Sequence, residues 1–255
     1  MSKKNCGSLV LAIFVFSGGL GTARLSGQDQ IEKAKIYRDT YPIVVEADLY
    51  CAIFMLEGEI AQRILAPASG ERLLLSDADQ FWGGPAGDWR EGRLLQIVEV
   101  GPSVPGVPGN LVYGRARAKI MRLEGDRFLA QIEKSCGPIR LGDRLLPFEK
   151  KDILQGKDLG YGGTLQGGEV LTGRVIFLAD DRDQIGANEY ALIDIGRERG
   201  LQPGRQLTVF SAPSGNEPAR AIGNAVVIDA GRATATIKVL SLKNSIRAGD
   251  LVQVK

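Results

Sequence analysis

The run ATATIKVL, residues 233–240, alternates without a break: Ala233, Ala235, Ile237 and Val239 share one side, while Thr234, Thr236 and Lys238 share the other. Successive side chains of a strand point to opposite faces, so a period of two in polarity predicts a half-buried β-strand. The same short grain runs through most of the chain. RLLQIVEV, RARAKIMRL, RFLAQIEK, VLTGRVIFLA, YALIDI, QLTVF and NAVVIDA are brief, rich in Val, Ile and Leu, and separated by Gly, Pro and Asp. No long amphipathic helix is legible after about residue 40. Many short strands at close spacing point to barrels or sandwiches. The expected fold class is therefore all-β.

The runs also repeat in order. Gly84 stands eight residues before Gly92, which opens GRLLQIV; Gly196 stands eight residues before Gly204, which opens GRQLTVF. Further on, EGDRFLAQIEKSCGPIRLGDRLLPF matches AGRATATIKVLSLKNSIRAGDLVQV. Each carries a turn glycine, a strand, the motif Ile-Arg-x-Gly-Asp (Ile139 to Asp143, Ile246 to Asp250) and a closing strand. A weaker match joins EGEIAQRILAPASGERLLLSD to TGRVIFLADDRDQIGANEYALID. Three matches in one order predict two related, small β-barrel-like modules. The shared turn residues Gly92, Gly142, Asp143, Pro203, Gly204, Gly249 and Asp250 are read as structural: glycine takes positive φ cheaply, proline presets a turn, and aspartate caps one. Between the modules, residues 151–169 are Gly-rich and poor in apolar clusters, which reads as a linker. The expected order is a leader at 1–27, a first module with an N-terminal extension at 28–150, the linker, and a second module at 170–255.

The leader is read from its pattern. Lys3 and Lys4 precede an apolar stretch from Leu9 to Phe16, followed by small residues and the polar GQDQ, the order of a secretory signal peptide. Residues 1–27 hold three basic and no acidic residues, so the formal charge falls from +2 to about −1 without them. Nucleic acid is not an implied partner, and no later segment is long and apolar enough to span a membrane. Two cysteines then remain, Cys51 and Cys136, a candidate disulfide in an exported chain. The sequence contains no histidine, which excludes Ser-His-Asp and Cys-His catalysis and every His-based metal site.

The remaining motifs favour plain readings. GYGGTLQGG, residues 160–168, lacks the Gly-Lys-Ser/Thr of a phosphate loop and is read as linker. DDRDQIGANE, residues 180–189, places Asp181, Asp183 and Gly186 at calcium-loop spacing, but Leu192 stands where a bidentate Glu belongs, so a polar hairpin is expected. The pairs Asp77 with Asp79 and Glu57 with Glu59 could share strand faces, yet nothing else converges on them, and a solvated face is the expectation. Neither a cofactor nor a catalytic set is implied. Trp82 and Trp89 flank GGPAGD in a loop, and exposed tryptophans can stack on sugar rings or anchor a protein partner. Leu201 stands where the second copy differs from the Trp89 region of the first. These three are the candidate contact residues.

The second module, from YALIDIGRERGLQPGRQLTVF through AIGNAVVIDAGRATATIKVLSLKNSIRAGDLVQV, resembles the C-terminal β-barrel domain of the bacterial flagellar assembly protein T and related exported envelope modules. The likeness spans about residues 170–255. It implies a non-catalytic module and supplies no catalytic residues. The expected function is an exported periplasmic or cell-envelope scaffold or assembly protein that binds other envelope proteins, such as a flagellar or secretion assembly. The alternative is a glycan- or peptidoglycan-binding module using Trp82 and Trp89.

Overall fold

A computed structural model describes residues 40–150, 153–213 and 218–255. The leader expected at residues 1–27, most of the polar segment after it and Cys6 lie outside the described residues. The first half begins with β1 (Tyr41–Pro42), a six-residue helix α1 (Glu46–Cys51) and β2 (Ile53–Leu56). It continues through β3 (Arg63–Pro67), β4 (Leu74–Leu75), β5 (Gln80–Gly84), β6 (Leu94–Val100), β7 (Asn110–Glu124), β8 (Arg127–Ser135), β9 (Ile139–Arg140) and β10 (Arg144–Pro147). After β11 (Gln155–Gly156), the second half holds β12 (Thr172–Leu178), β13 (Tyr190–Ile193), β14 (Gln206–Phe210), β15 (Ala221–Ala230), β16 (Ala235–Leu242) and β17 (Leu251–Val254).

These strands close into two six-stranded antiparallel barrels. The first runs β7-β6-β10-β3-β5-β8 and back to β7, with β2 added outside on β7. The second runs β15-β14-β17-β12-β13-β16 and back to β15. Substituting each strand by its repeat partner turns one order into the other, so the sequence repeat is a repeat of topology. Closure leaves neither ring with a free edge.

The repeat extends to single hydrogen bonds. Gly92 N donates to Ile120 O at 2.8 Å and Ile120 N to Arg93 O at 3.0 Å. In the second copy Gly204 N donates to Val227 O at 2.8 Å and Val227 N to Arg205 O at 2.9 Å. Both glycines have positive φ, +82° and +88°, where a Cβ would be strained. Asp143 Oδ2 accepts from Arg140 N at 2.8 Å, and Asp250 Oδ2 from Arg247 N at 2.8 Å, so each Gly-Asp motif closes its own turn. The loop before β5 is fastened by an Arg72–Asp79 pair and that before β13 by an Arg182–Glu189 pair, both seven residues apart.

Apolar side chains fill both interiors. Phe81, Leu95, Ile97, Phe128 and Leu145 pack the first barrel; Ile193, Leu207, Val209, Ile237 and Val252 pack the second. Each such side chain contributes on the order of 1.5–3 kcal/mol when fully buried. The strand 235–242 departs from the half-buried expectation. Its alternate face, carrying Thr234, Thr236 and Lys238, is also buried. The reason is that α1 and β2, from the other half of the chain, lie against it: Thr236 Oγ1 donates to Ile53 O at 2.6 Å and Lys238 Nζ to Asp48 Oδ2 at 2.8 Å.

Candidate binding surfaces

The joint between the barrels is built around α1. The helix starts where Val45 N is capped by Asp48 Oδ2 at 2.7 Å and ends where the chain turns extended again at Ala52. Cys51 and Cys136 are bonded, with their Cα atoms 5.8 Å apart, which ties the end of α1 to the chain leaving β8. Gly114 lets α1 approach β7 closely, since a Cβ there would fall 2.1 Å from Tyr50 O. Arg117 pairs with Glu46 at 2.7 Å and with Glu133 at 2.8 Å. On the other side, Asp48 is 4% exposed and meets Lys238, 8% exposed, while Tyr190 Oη donates to its second oxygen at 2.8 Å. Burial, and then the facing Asp48 carboxylate, push the Tyr190 hydroxyl well above its ordinary pKa. The carboxylate thus has three donors, the condition under which a buried charge is tolerated.

Of the three candidate contact residues, two are interior. Trp89 is 6% exposed and packs on Phe128 with ring centroids 5.1 Å apart; Leu201 is 1% exposed. Both lie in the same connection of their barrels, between β5 and β6 and between β13 and β14, and both belong to the cores. They are equivalent plugs closing one end of each barrel. The contact role expected for them is corrected on that ground: an apolar side chain in a connection over an open barrel end is buried by capping it.

Trp82 is different. It lies on β5 with its side chain on the outer face and is half-buried. It is opposite Ala66 on β3 and Leu129 on β8, which in turn faces Arg122 on β7. The guanidinium carbons of Arg127 and Arg122 stand 5.2 Å and 5.5 Å from its ring centroid. One step along the sheet, Arg144 of β10 is in register with Arg63 of β3, and Arg63 with Gly84. Exposed Leu65 reaches over Gly84. This face therefore carries Trp82 and Leu65 with two arginines over the indole and two more along β3 and β10.

Three of the four paired carboxylates, Asp77, Asp79 and Glu57, have partners of their own. Hydrogen bonds from the Ser135 hydroxyl, Lys134 and the Ser135 amide lower Asp77 from 3.8 to about 2. Asp79 is held below its usual value chiefly by the Ser76 amide, which donates at 2.9 Å. Glu57 pairs with Arg232 at 3.1 Å. In residues 180–189, the Glu189 carboxylate accepts from Gly186 N and pairs with Arg182, so the segment is the second copy of the loop carrying Arg72 and Asp79. Among the described residues no group of three or more Cys, Asp or Glu side chains is arranged to hold a metal ion. No described helix is long and apolar enough to cross a membrane.

Residues 153–168 connect the halves and are also bonded along the second barrel. β11 pairs with β1, Asp158 N donates to Tyr41 Oη at 3.0 Å, and Leu159 N donates to Gln206 Oε1 at 3.0 Å. Sequence reasoning read this stretch as linker because glycine dominates it. The partners, Gln206, Asn224 and Gln253, are polar residues on strands, and nothing local marks them as holding a distant segment.

Fold and surface together define a duplicated six-stranded β-barrel protein with an arginine-bearing outer patch on its first barrel. No protein-family model matches the chain, and no curated protein gives a significant sequence match to it.

Proposed function

We propose that the chain is an exported, non-catalytic scaffold or assembly protein of the cell envelope that works by binding other envelope proteins. The observation that carries this is the outer face of the first barrel, where Trp82 and Leu65 stand among Arg63, Arg122, Arg127 and Arg144. Aromatic residues and arginines are the side chains that most often anchor protein interfaces. The four arginines suit a carboxylate-bearing partner. Because the barrel interiors are filled by their own side chains, binding falls to outer surfaces. The leader pattern, the disulfide and the likeness of residues 170–255 to the flagellar assembly protein T module support the envelope setting.

The glycan alternative loses one of its two tryptophans, since Trp89 is a barrel plug. At Trp82 the two guanidinium groups lie over the indole, where a sugar ring would stack. The test is affinity capture from crosslinked envelope extract, run beside sedimentation with purified sacculi. Recovery of a discrete protein partner by the native chain and not by Trp82→Ala supports the proposal. Pelleting with sacculi that Trp82→Ala abolishes, without a protein partner, overturns it in favour of the glycan reading.

A further inference from the structure

The outer face of the second barrel carries polar side chains that in a lone barrel would face water, yet they are covered. Asn224 is 0% exposed, and Thr208 and Gln253 are also buried. Their cover is the segment 157–168. Gln206 grips its main chain twice, accepting from Leu159 N at 3.0 Å and donating to Lys157 O at 2.7 Å. Gln253 does the same at Gln166, accepting from its N–H at 3.0 Å and donating to its carbonyl at 2.7 Å. Within the first clamp, between Lys157 and Leu159, the Asp158 carboxylate accepts from Gly160 N at 2.8 Å and from Asn224 Nδ2. Lys255 Nζ donates to Gly160 O and to Asn224 Oδ1. Burial works to raise the Asp158 pKa, but Ser241, the Gly160 amide, Asn224 and Lys255 together hold it below its usual value, so the pocket favours a charged carboxylate.

A side-chain amide that both donates to and accepts from a peptide group reads backbone, not sequence. Two such clamps, with a carboxylate pocket at the first, specify a chain that turns at Gly160 and carries one acid at a fixed place. The equivalent face of the first barrel is used in the same way. There Gln96 Nε2 donates to Tyr50 O at 3.2 Å, and Arg117, at the position equivalent to Asn224, pairs with Glu46. In both copies the chain that precedes a barrel lies over this face with an acid side chain on it.

We propose that the face formed by β14, β15 and β17 is a binding site for an acid-bearing, glycine-containing peptide segment, held in cis by residues 157–168 and opened to a partner protein's segment when these are displaced. It is a second surface, separate from the Trp82 patch and independent of what that patch binds. The resident segment is Gly-rich and exposes Leu159, so it buries little apolar area and is suited to exchange. Being covalently attached, it competes at an effective concentration in the millimolar range.

The experiment uses the full chain with residues 157–168 replaced by a Gly-Ser segment of equal length. The probe is a fluorescent peptide, KDLGYGGTLQGG, followed by anisotropy. The replaced chain should bind the peptide, the native chain should bind it at least about 100-fold more weakly, and a peptide with Asp158→Asn should lose about 10-fold. A second variant, Asp158→Ala in the otherwise native chain, weakens the resident segment without removing it and should raise peptide binding over native. It decides the matter if the replaced chain does not fold. Equal binding of the Asn and Asp peptides, or no binding to either variant while circular dichroism is native, overturns the proposal. Concentration-dependent dimers of the native chain that the replacement abolishes would make a second copy the occupant, and also overturn it.

Discussion

Reducing the Cys51–Cys136 bond is expected to cost the fold most of what loop closure gives it. The two cysteines are 85 residues apart, and the chain between them makes nearly all of the first barrel. For a loop of that length the chain-entropy relation gives roughly 4.6 kcal/mol at 25 °C. A folded unit of this size loses about 2–4 °C of melting temperature per kcal/mol, so reduction should lower Tm by roughly 10–15 °C. The native fold itself should persist at 25 °C, because α1 is also held by Gln96, Arg117 and the close approach at Gly114. The assay is thermal unfolding followed by near-UV circular dichroism, with and without reductant, with Cys51→Ala/Cys136→Ala as a second route to the same state. Reductant should not shift the double variant. A Tm change within about 2 °C would refute the loop argument, and loss of near-UV signal at 25 °C would show that the bond, not the packing, holds α1.

Breaking the buried pair at the joint should be severe: Asp48→Ala leaves Lys238 buried without its carboxylate and should destabilise by about 3–5 kcal/mol, whereas Asp48→Leu with Lys238→Met should recover much of that in denaturant titrations. Trp89→Ala and Leu201→Ala should cost about 3–5 and 2–5 kcal/mol as cavity mutants, while half-exposed Trp82→Ala should cost under about 1 kcal/mol and show its effect in binding. Asp77 titrates at about 2 in the fold against a usual 3.8, so its contribution is present above pH 4 and fades as the pH falls through 2. Asp77→Asn should therefore lower stability at pH 7 by an amount that shrinks steadily below pH 4 and vanishes only once the pH is well below 2, as read from denaturant midpoints across that range.

Most of the architecture was legible in the sequence because strand alternation and turn chemistry are local. Gly92 with Gly204, and Asp143 with Asp250, were visible as a repeat and occupy equivalent turns. The weak third match also concealed a firm signal: Arg72 to Asp79 and Arg182 to Glu189 are the same ion pair at the same spacing. What stayed hidden depends on contacts between distant residues. In the run VVEADLYCAIFML, α1 is one turn and a half long, too short for helical periodicity to show, and its place is set by contacts with both barrels. Trp89 and Leu201 looked like differences between the copies, but size is the only difference; each plugs its own barrel. The clamps at Gln206 and Gln253 could not be inferred from strand pattern, since a polar residue on an outward position is expected to meet water.

The central claim is that the arginine-bearing face around Trp82 meets an envelope protein. A photo-crosslinking residue placed at Gln80, on the same face and one pleat from Trp82, tests it most directly in living cells. The expected result is a discrete protein adduct that disappears in the Trp82→Ala background and weakens when Arg122 and Arg127 are changed to Glu. No adduct at Gln80, or one that survives all three substitutions unchanged, would contradict it.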